Sequence, residues 1–179
     1  TTTPADSGPD ANAAAAAQET AEAEAAFEAE ASQQMQVRLG KRDRLIESGA
    51  GAYPVSLPIT STIAETRARF GELEPDAATG EIVGLAGRIV HLRNTGKLCF
   101  ASLQSGDGSR IQAMVSLAVV GEESLALWKE LVDLGDHLFV SGEVVASRRG
   151  ELSVRVEEWK IATKALRPLP NLHTELSEE

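Results

Sequence analysis

Five runs of alternating apolar and polar residues, crowded into residues 82–161 and separated by glycine-bearing turns, leave this chain few folds to choose from. The first run, Ile82 to Asn94, is long, and its Gly84 and Gly87 suit the tight coil of a small barrel. Asn94-Thr95-Gly96 turns into a second run, Lys97 to Gln104, and Gly106-Asp107-Gly108 into a third, Arg110 to Leu117. Residues 122–132 then change period, with Leu125, Leu127, Trp128 and Leu131 as the apolar set of a helix. A fourth run, His137 to Ser147, is joined through Arg148-Arg149-Gly150 to a fifth, Glu151 to about Ile161. Three antiparallel strands, a helix and a final hairpin is the order of elements in an OB-fold. The expectation is therefore a mainly β chain, a five-stranded OB-fold Greek-key barrel with a helix between strands 3 and 4. In that fold the face of strands two and three is where single-stranded nucleic acid lies.

The flanks divide the chain further. Residues 1–32 are rich in Ala and Glu, with Phe27 as the one large apolar side chain, and read as a low-complexity acidic tail, disordered or a frayed solvated helix. Residues 33–80 read as a helical N-terminal extension. In it Met35, Leu39, Leu45 and Ile46 form a rough helical stripe over 33–48, stopped by Gly49. Arg38, Lys41, Arg42 and Arg44 fill the rest of that helix; they suit either phosphate or plain solvent, the second being the commoner use of such a face. Tyr53-Pro54 and Leu57-Pro58 force an extended connection. A short second helix follows, with Thr62 as N-cap, Glu65 as its capping-box partner, Phe70 inward and Gly71 as the stop. Residues 81–166 make the β domain, and 167–179 a linker.

Charge looks unfavourable for a nucleic-acid binder until it is divided. The net charge is −10, but residues 1–34 carry seven acids and no Lys or Arg, and residues 171–179 add three more acids. The stretch between is neutral, and residues 88–112 hold Arg88, Arg93, Lys97 and Arg110 against Asp107 alone. A locally basic face is thus compatible with an acidic chain. No apolar run approaches the ~20 residues of a membrane span, and no basic start precedes an apolar core as in a secretory signal. Cys99, the single cysteine, falls on the apolar side of its strand and reads as a reduced core residue, which suits a cytoplasmic protein.

Within the second run, Cys99, Ala101 and Leu103 share one face, and Leu98, Phe100, Ser102 and Gln104 the other. A large ring among polar neighbours suits a stacking platform for a base, although half-covered Phe residues on strands are common. Arg93 at the end of strand one, Gln112 outward on strand three and Glu151 at the start of strand five would share that face or its rim. Phe supplies a π surface, Gln both donates and accepts, Arg donates to carbonyl or phosphate, and Glu accepts from ring NH or amino groups. These side chains suit an unpaired nucleotide equally as well as they suit an ordinary polar surface around a partly covered Phe.

Catalytic arrangements find less support. Gly96-Lys97 lacks the earlier Gly of a phosphate loop (His91 stands there), and Leu98 replaces its Ser or Thr. His91, His137 and His173 are far apart and have no companion cysteine at metal-ligand spacing. No Ser, His and Asp have a nucleophile's local context. The competing functional classes are therefore a base-reading module, a general single-strand binder and a structural buttress.

Several segments, in order and at matching spacing over some 140 residues, resemble the N-terminal region of bacterial class II lysyl-tRNA synthetases (lysine–tRNA ligases). They are Ala52-Tyr53-Pro54, Ala86-Gly87-Arg88-Ile89, Gly96-Lys97-Leu98-Cys99-Phe100, Arg110-Ile111-Gln112, Asp133-Leu134-Gly135-Asp136, Gly150-Glu151-Leu152-Ser153-Val154 and Lys164-Ala165-Leu166-Arg167-Pro168-Leu169-Pro170. The resemblance implies an OB domain that binds the anticodon loop of tRNA(Lys). It assigns Phe100 to stacking on the central uracil, Arg93 and Gln112 to contacts with it, and Glu151 to reading an anticodon base. Ser105 departs from the family's Asp, in a turn away from those positions. The intact enzymes of the family use ATP and Mg2+ in a catalytic domain beyond the Leu166-to-Pro170 linker and are homodimers. The expectation for these 179 residues is tRNA recognition, with no cofactor and no membrane partner, and no lysine activation by the chain alone.

Overall fold

The computed structural model describes residue 29 and residues 31–49 and 51–167. The expected acidic tail, and most of the expected linker, lie outside the described residues. Helix α1 covers residues 31–47, and Gly49, at φ +74°, takes the left-handed conformation that ends it. Helix α2, Ile63–Phe70, carries the capping box that its sequence predicts: Thr62 Oγ1 accepts from the Glu65 amide and Glu65 accepts from the Thr62 amide. Gly71 is its C-cap at an ordinary right-handed φ of −63°, so the helix stops without a left-handed glycine.

The strands are β1 (Ala78–Thr95), β2 (Leu98–Gln104), β3 (Arg110–Ser116), β4 (His137–Ala146) and β5 (Leu152–Thr163), with helix α3 (Leu117–Leu131) between β3 and β4. Residues 117–131 are two helical pieces, because Gly121 at φ +81° and ψ 171° interrupts them. The second piece begins at Glu122, where the sequence pattern starts. On β2 and β3 burial alternates without a slip: Cys99, Ala101, Leu103, Ile111, Ala113 and Val115 point inward. They meet Leu85, Ile89, Leu138, Val140, Val144, Val154 and Val156 in one core. Helix α3 plugs one end of it with Leu125, Trp128 and Leu131, and Trp128 meets Trp159 edge-on at 5.3 Å between centroids.

The expected Greek-key barrel needs correction at the place where the sheet comes round on itself. Neighbours follow the order β1-β2-β3-β5-β4, with β4 pairing back to β1, and every pair is antiparallel except β3 with β5. Those two run parallel over three residue pairs, Gln112 with Ser153, Ala113 with Val154 and Met114 with Arg155. The architecture is a mixed sheet wrapped around its core and stitched at one short seam, in place of an evenly zipped barrel. The physical reason is chain direction. Helix α3 reverses the path after β3, so the last strand of the β4–β5 hairpin reaches β3 heading the same way.

The glycines of β1 also have a different purpose from coiling. A Cβ on Gly84 would lie 2.5 Å from the Pro58 carbonyl oxygen, and one on Gly87 would lie 3.1 Å from Ile63 Cδ1. The connection after Leu57 crosses the outside of the sheet there, exchanging bonds with Gly84: the Thr60 amide donates to its carbonyl, and its amide donates to Thr60 Oγ1. This crossing helps bury Phe139, which lies outside the main cluster with its ring against Gly84. Two expected core residues are exposed instead, Leu127 on α3 and Ile46 on α1.

The basic residues of α1 are occupied within the molecule. Arg38 donates to the carbonyls of Ala165 and Arg167, Lys41 to Asp133, Arg42 to Asp43 and Arg44 to Glu130. Beneath them Lys164, 2% exposed, gives its ammonium to the Leu131 carbonyl and to Asp133 and Asp136 at 2.6–2.7 Å. Asp136 also accepts from the amides of Asp133 and Ala165. This cluster latches α1, the α3–β4 turn and the end of β5 together.

Candidate nucleic-acid interface

Phe100 faces outward because β2 alternates, and the β1–β2 register sets Arg93 directly opposite it. The Arg93 guanidinium lies over the ring, 5.0 Å from its centroid, within cation–π range. The ring is half-buried and not bare: one face carries the guanidinium, and Met114 stands across from it on β3. Gln112, two residues before Met114, shares the same outward phase. Its Nε2 donates to Glu151 Oε2 at 2.7 Å, and its Oε1 accepts from Ser153 Oγ at 3.1 Å. Glu151 sits just after the β4–β5 turn, where its own amide donates to Ser147 Oγ.

Arg93, Phe100, Gln112 and Glu151 all line one open groove of about 640 Å³. Its floor is Leu98, Met114, Val145 and Ala146, and its rim carries Arg148, Arg149 and Arg155 against Asp76 and Glu151. Arg155 is paired with Glu143; Arg148 and Arg149 are exposed at the turn. The balance of charge at this groove is positive on a chain that is net negative. The arrangement offers an aromatic face, a two-way amide, a carboxylate and guanidinium donors within one concave surface, a set suited to holding a flat polar heterocycle with an anionic backbone beside it.

Among the residues that sequence reasoning did not pick out are Met114, Arg148 and Arg149 of the groove lining, and the buried Ser153 behind Gln112. Met114 shares Gln112's phase and was legible from period two. Arg148 and Arg149 stood in view as turn residues next to Glu151, and only the fold shows that the turn folds over the groove. Ser153 gave no signal, since its relation to Gln112 depends on the parallel seam.

The other polar candidates lie elsewhere. His137 is partly buried; burial and the neighbouring Arg88 charge lower its pKa, with Asp136 opposing them. Cys99 is a free, buried thiol, pushed up chiefly by burial. Asp107 is held down to about 2 by hydrogen bonds from Ser105 and Ser109 inside the β2–β3 turn. Among the described residues no group of three or more His, Cys, Asp or Glu could hold a metal ion, and no helix is long and apolar enough to cross a membrane.

Residues 83–162 match the family model described as an OB-fold nucleic acid binding domain of the tRNA anticodon type. Over 147 residues, 82% of this chain, the sequence is 56% identical to the lysine–tRNA ligase of Mycolicibacterium gilvum and equally to that of Kineococcus radiotolerans. Over 136 residues, 76% of the chain, it is 41% identical to the lysine–tRNA ligase of Moorella thermoacetica. These alignments cover 29%, 29% and 26% of the respective relatives, so the chain spans under a third of their length.

Proposed function

We propose, from its match to the anticodon-type OB-fold model and its identity with the N-terminal part of bacterial lysine–tRNA ligases, that the chain is the anticodon-binding region of such an enzyme and that its groove reads the anticodon loop of tRNA(Lys). The observation that carries this reading is the convergence of Arg93, Phe100, Gln112 and Glu151 on one groove. The central base stacks on Phe100, and Arg93 swings from the ring face to the base edge or its phosphate. Gln112 meets the base edge with its free N–H and free lone pair, and Glu151 accepts from a neighbouring base. Arg148 and Arg149 take the backbone. In this reading residues 81–166 form the reading domain and 33–80 its helical extension.

The whole protein, on the same proposal, attaches lysine to tRNA(Lys) in the cytoplasm with ATP and Mg2+, as a homodimer. The described residues of this chain do not fit that chemistry. They offer no metal-ligating cluster among the described residues, and Gly96-Lys97 lies in a hairpin turn with Lys97 exposed. The chain alone should give no lysine-dependent ATP–pyrophosphate exchange.

The decisive measurement is binding of the 179-residue chain to an anticodon stem-loop carrying UUU. Phe100→Ala should weaken it roughly 5- to 150-fold, the range of one lost base–aromatic stack. Unchanged affinity with the fold intact would favour the structural-buttress reading. Equal affinity of the unaltered chain for UUU and unrelated loops would make it a general single-strand binder.

A further inference from the structure

We propose that Ser153, acting with Glu151, is a positioning residue that holds the Gln112 side-chain amide in one orientation and so lets the groove tell uracil from cytosine. The inference rests on the base-reading function proposed above. A glutamine amide is normally ambidextrous: rotating it by half a turn exchanges donor and acceptor, and it can then satisfy either pyrimidine. Uracil offers a ring N–H beside carbonyl acceptors, whereas cytosine offers a ring acceptor beside an amino donor. Beside a base whose plane is set by stacking on Phe100, a fixed amide matches one of these orders and meets the other like to like.

The surroundings of Gln112 fix it from both sides. Ionised Glu151 can only accept, so the contact at 2.7 Å must be made by Nε2. That turns Oε1 towards Ser153 Oγ, 3.1 Å away. The Ser153 hydroxyl has one proton and two acceptors within reach, the Glu151 carbonyl at 2.9 Å and Gln112 Oε1. Were the proton on the carbonyl, two oxygens would face each other unprotonated; were the amide turned over, its oxygen would face the carboxylate. The arrangement without such a conflict has Ser153 donating to Gln112 and Gln112 donating to Glu151. Ser153 is fully buried, so water does not substitute for its hydroxyl. The parallel pairing of Gln112 with Ser153 creates this contact. One N–H and one lone pair of the Gln112 amide are left for a ligand, in a fixed order.

The test compares affinities for two anticodon stem-loops differing only in the central base, UUU and UCU. The unaltered chain should prefer UUU. Ser153→Ala should shrink that preference about tenfold, the order of one base-edge discrimination, mainly by improving the UCU loop, with the thermal midpoint showing an intact fold. Ser153→Thr, which keeps the hydroxyl, should restore the preference. Glu151→Gln serves if Ser153→Ala does not fold: the exposed carboxylate becomes an amide able to follow Gln112 either way, and the preference should again shrink. A preference for UUU that survives in whichever of these two variants folds overturns the lock while leaving anticodon reading in place. An unaltered chain that binds both loops equally overturns the base-reading proposal and the lock with it.

Discussion

Two clusters of charged and polar side chains, at the latch and at the groove, use similar chemistry to opposite ends. At the latch, Lys164, Asp133, Asp136, Lys41 and Arg38 bond to one another and to main-chain carbonyls and amides, and the innermost members are excluded from water. At the groove, Gln112 and Glu151 bond to each other and still hold donors and acceptors in reserve, while Arg148 and Arg149 stand in solvent. A saturated cluster can only contribute to specificity of fold; an unsaturated one has capacity for a ligand. Basic residues on a helix therefore do not by themselves mark a phosphate site. Those of α1 have been consumed by carboxylates and carbonyls of the same chain.

The contrast breaks most readily at Lys164. Lys164→Met would leave Asp136 buried without its cation and should cost about 3–5 kcal/mol in denaturant unfolding. Loop binding by the folded fraction should stay unchanged. If the same substitution weakened binding as strongly as Phe100→Ala, the two clusters would not be independent. A smaller effect is expected from the groove rim. Arg148→Ala or Arg149→Ala should leave unfolding alone, weaken all loops alike, and lower the slope of log affinity against log salt by about 1. A variant that changed base preference but not the salt slope would move that arginine from backbone to base.

The smallest effect sharpens the latch through pH. Burial alone would raise the Asp133 pKa, but hydrogen bonds and charge from Lys164 and Lys41 outweigh it and leave the group below its ordinary value of 3.8. A carboxylate with a lowered folded pKa adds stability above its unfolded value and loses it as pH falls through the folded one. The loss from Asp133 thus begins near pH 4 and continues below it. Asp133→Asn should flatten the acid limb of stability against pH while lowering stability at neutral pH. An acid limb identical to that of the unaltered chain would show that the latch carboxylate is not titrating there.

What was legible in the sequence was local. Alternation at Cys99, Ala101 and Leu103 set the inner face of β2, and with it the outward Phe100. The spacing of Thr62 and Glu65 gave a cap, and the change of period at Glu122 placed a helix before β4. What was not legible depends on partners distant along the chain. Gly84 and Gly87 are small because residues 58–63 cross over them, which no pattern within β1 records. Phe139 is buried on what would otherwise be an outer face for the same reason. Ile46 and Leu127 fit helical stripes, but each stripe is wider than the surface it packs against, so its margin stays in solvent. Nor could spacing reveal that β3 and β5 run parallel, because pairing direction is decided by the path of α3 between them. At the groove, Arg93, Phe100, Gln112 and Glu151 could be proposed from residue type and phase. The hydrogen bonds joining Gln112 to Glu151 and Ser153 needed the fold.

The three-pair seam has a consequence for when the groove exists at all. Gln112 belongs to the first group of strands and Ser153 to the last hairpin, with α3 and β4 made between them. A nascent or partly frayed chain can present the ring of Phe100, yet it cannot orient the amide beside it. On the proposed reading, base selectivity is thereby contingent on completed assembly of the seam.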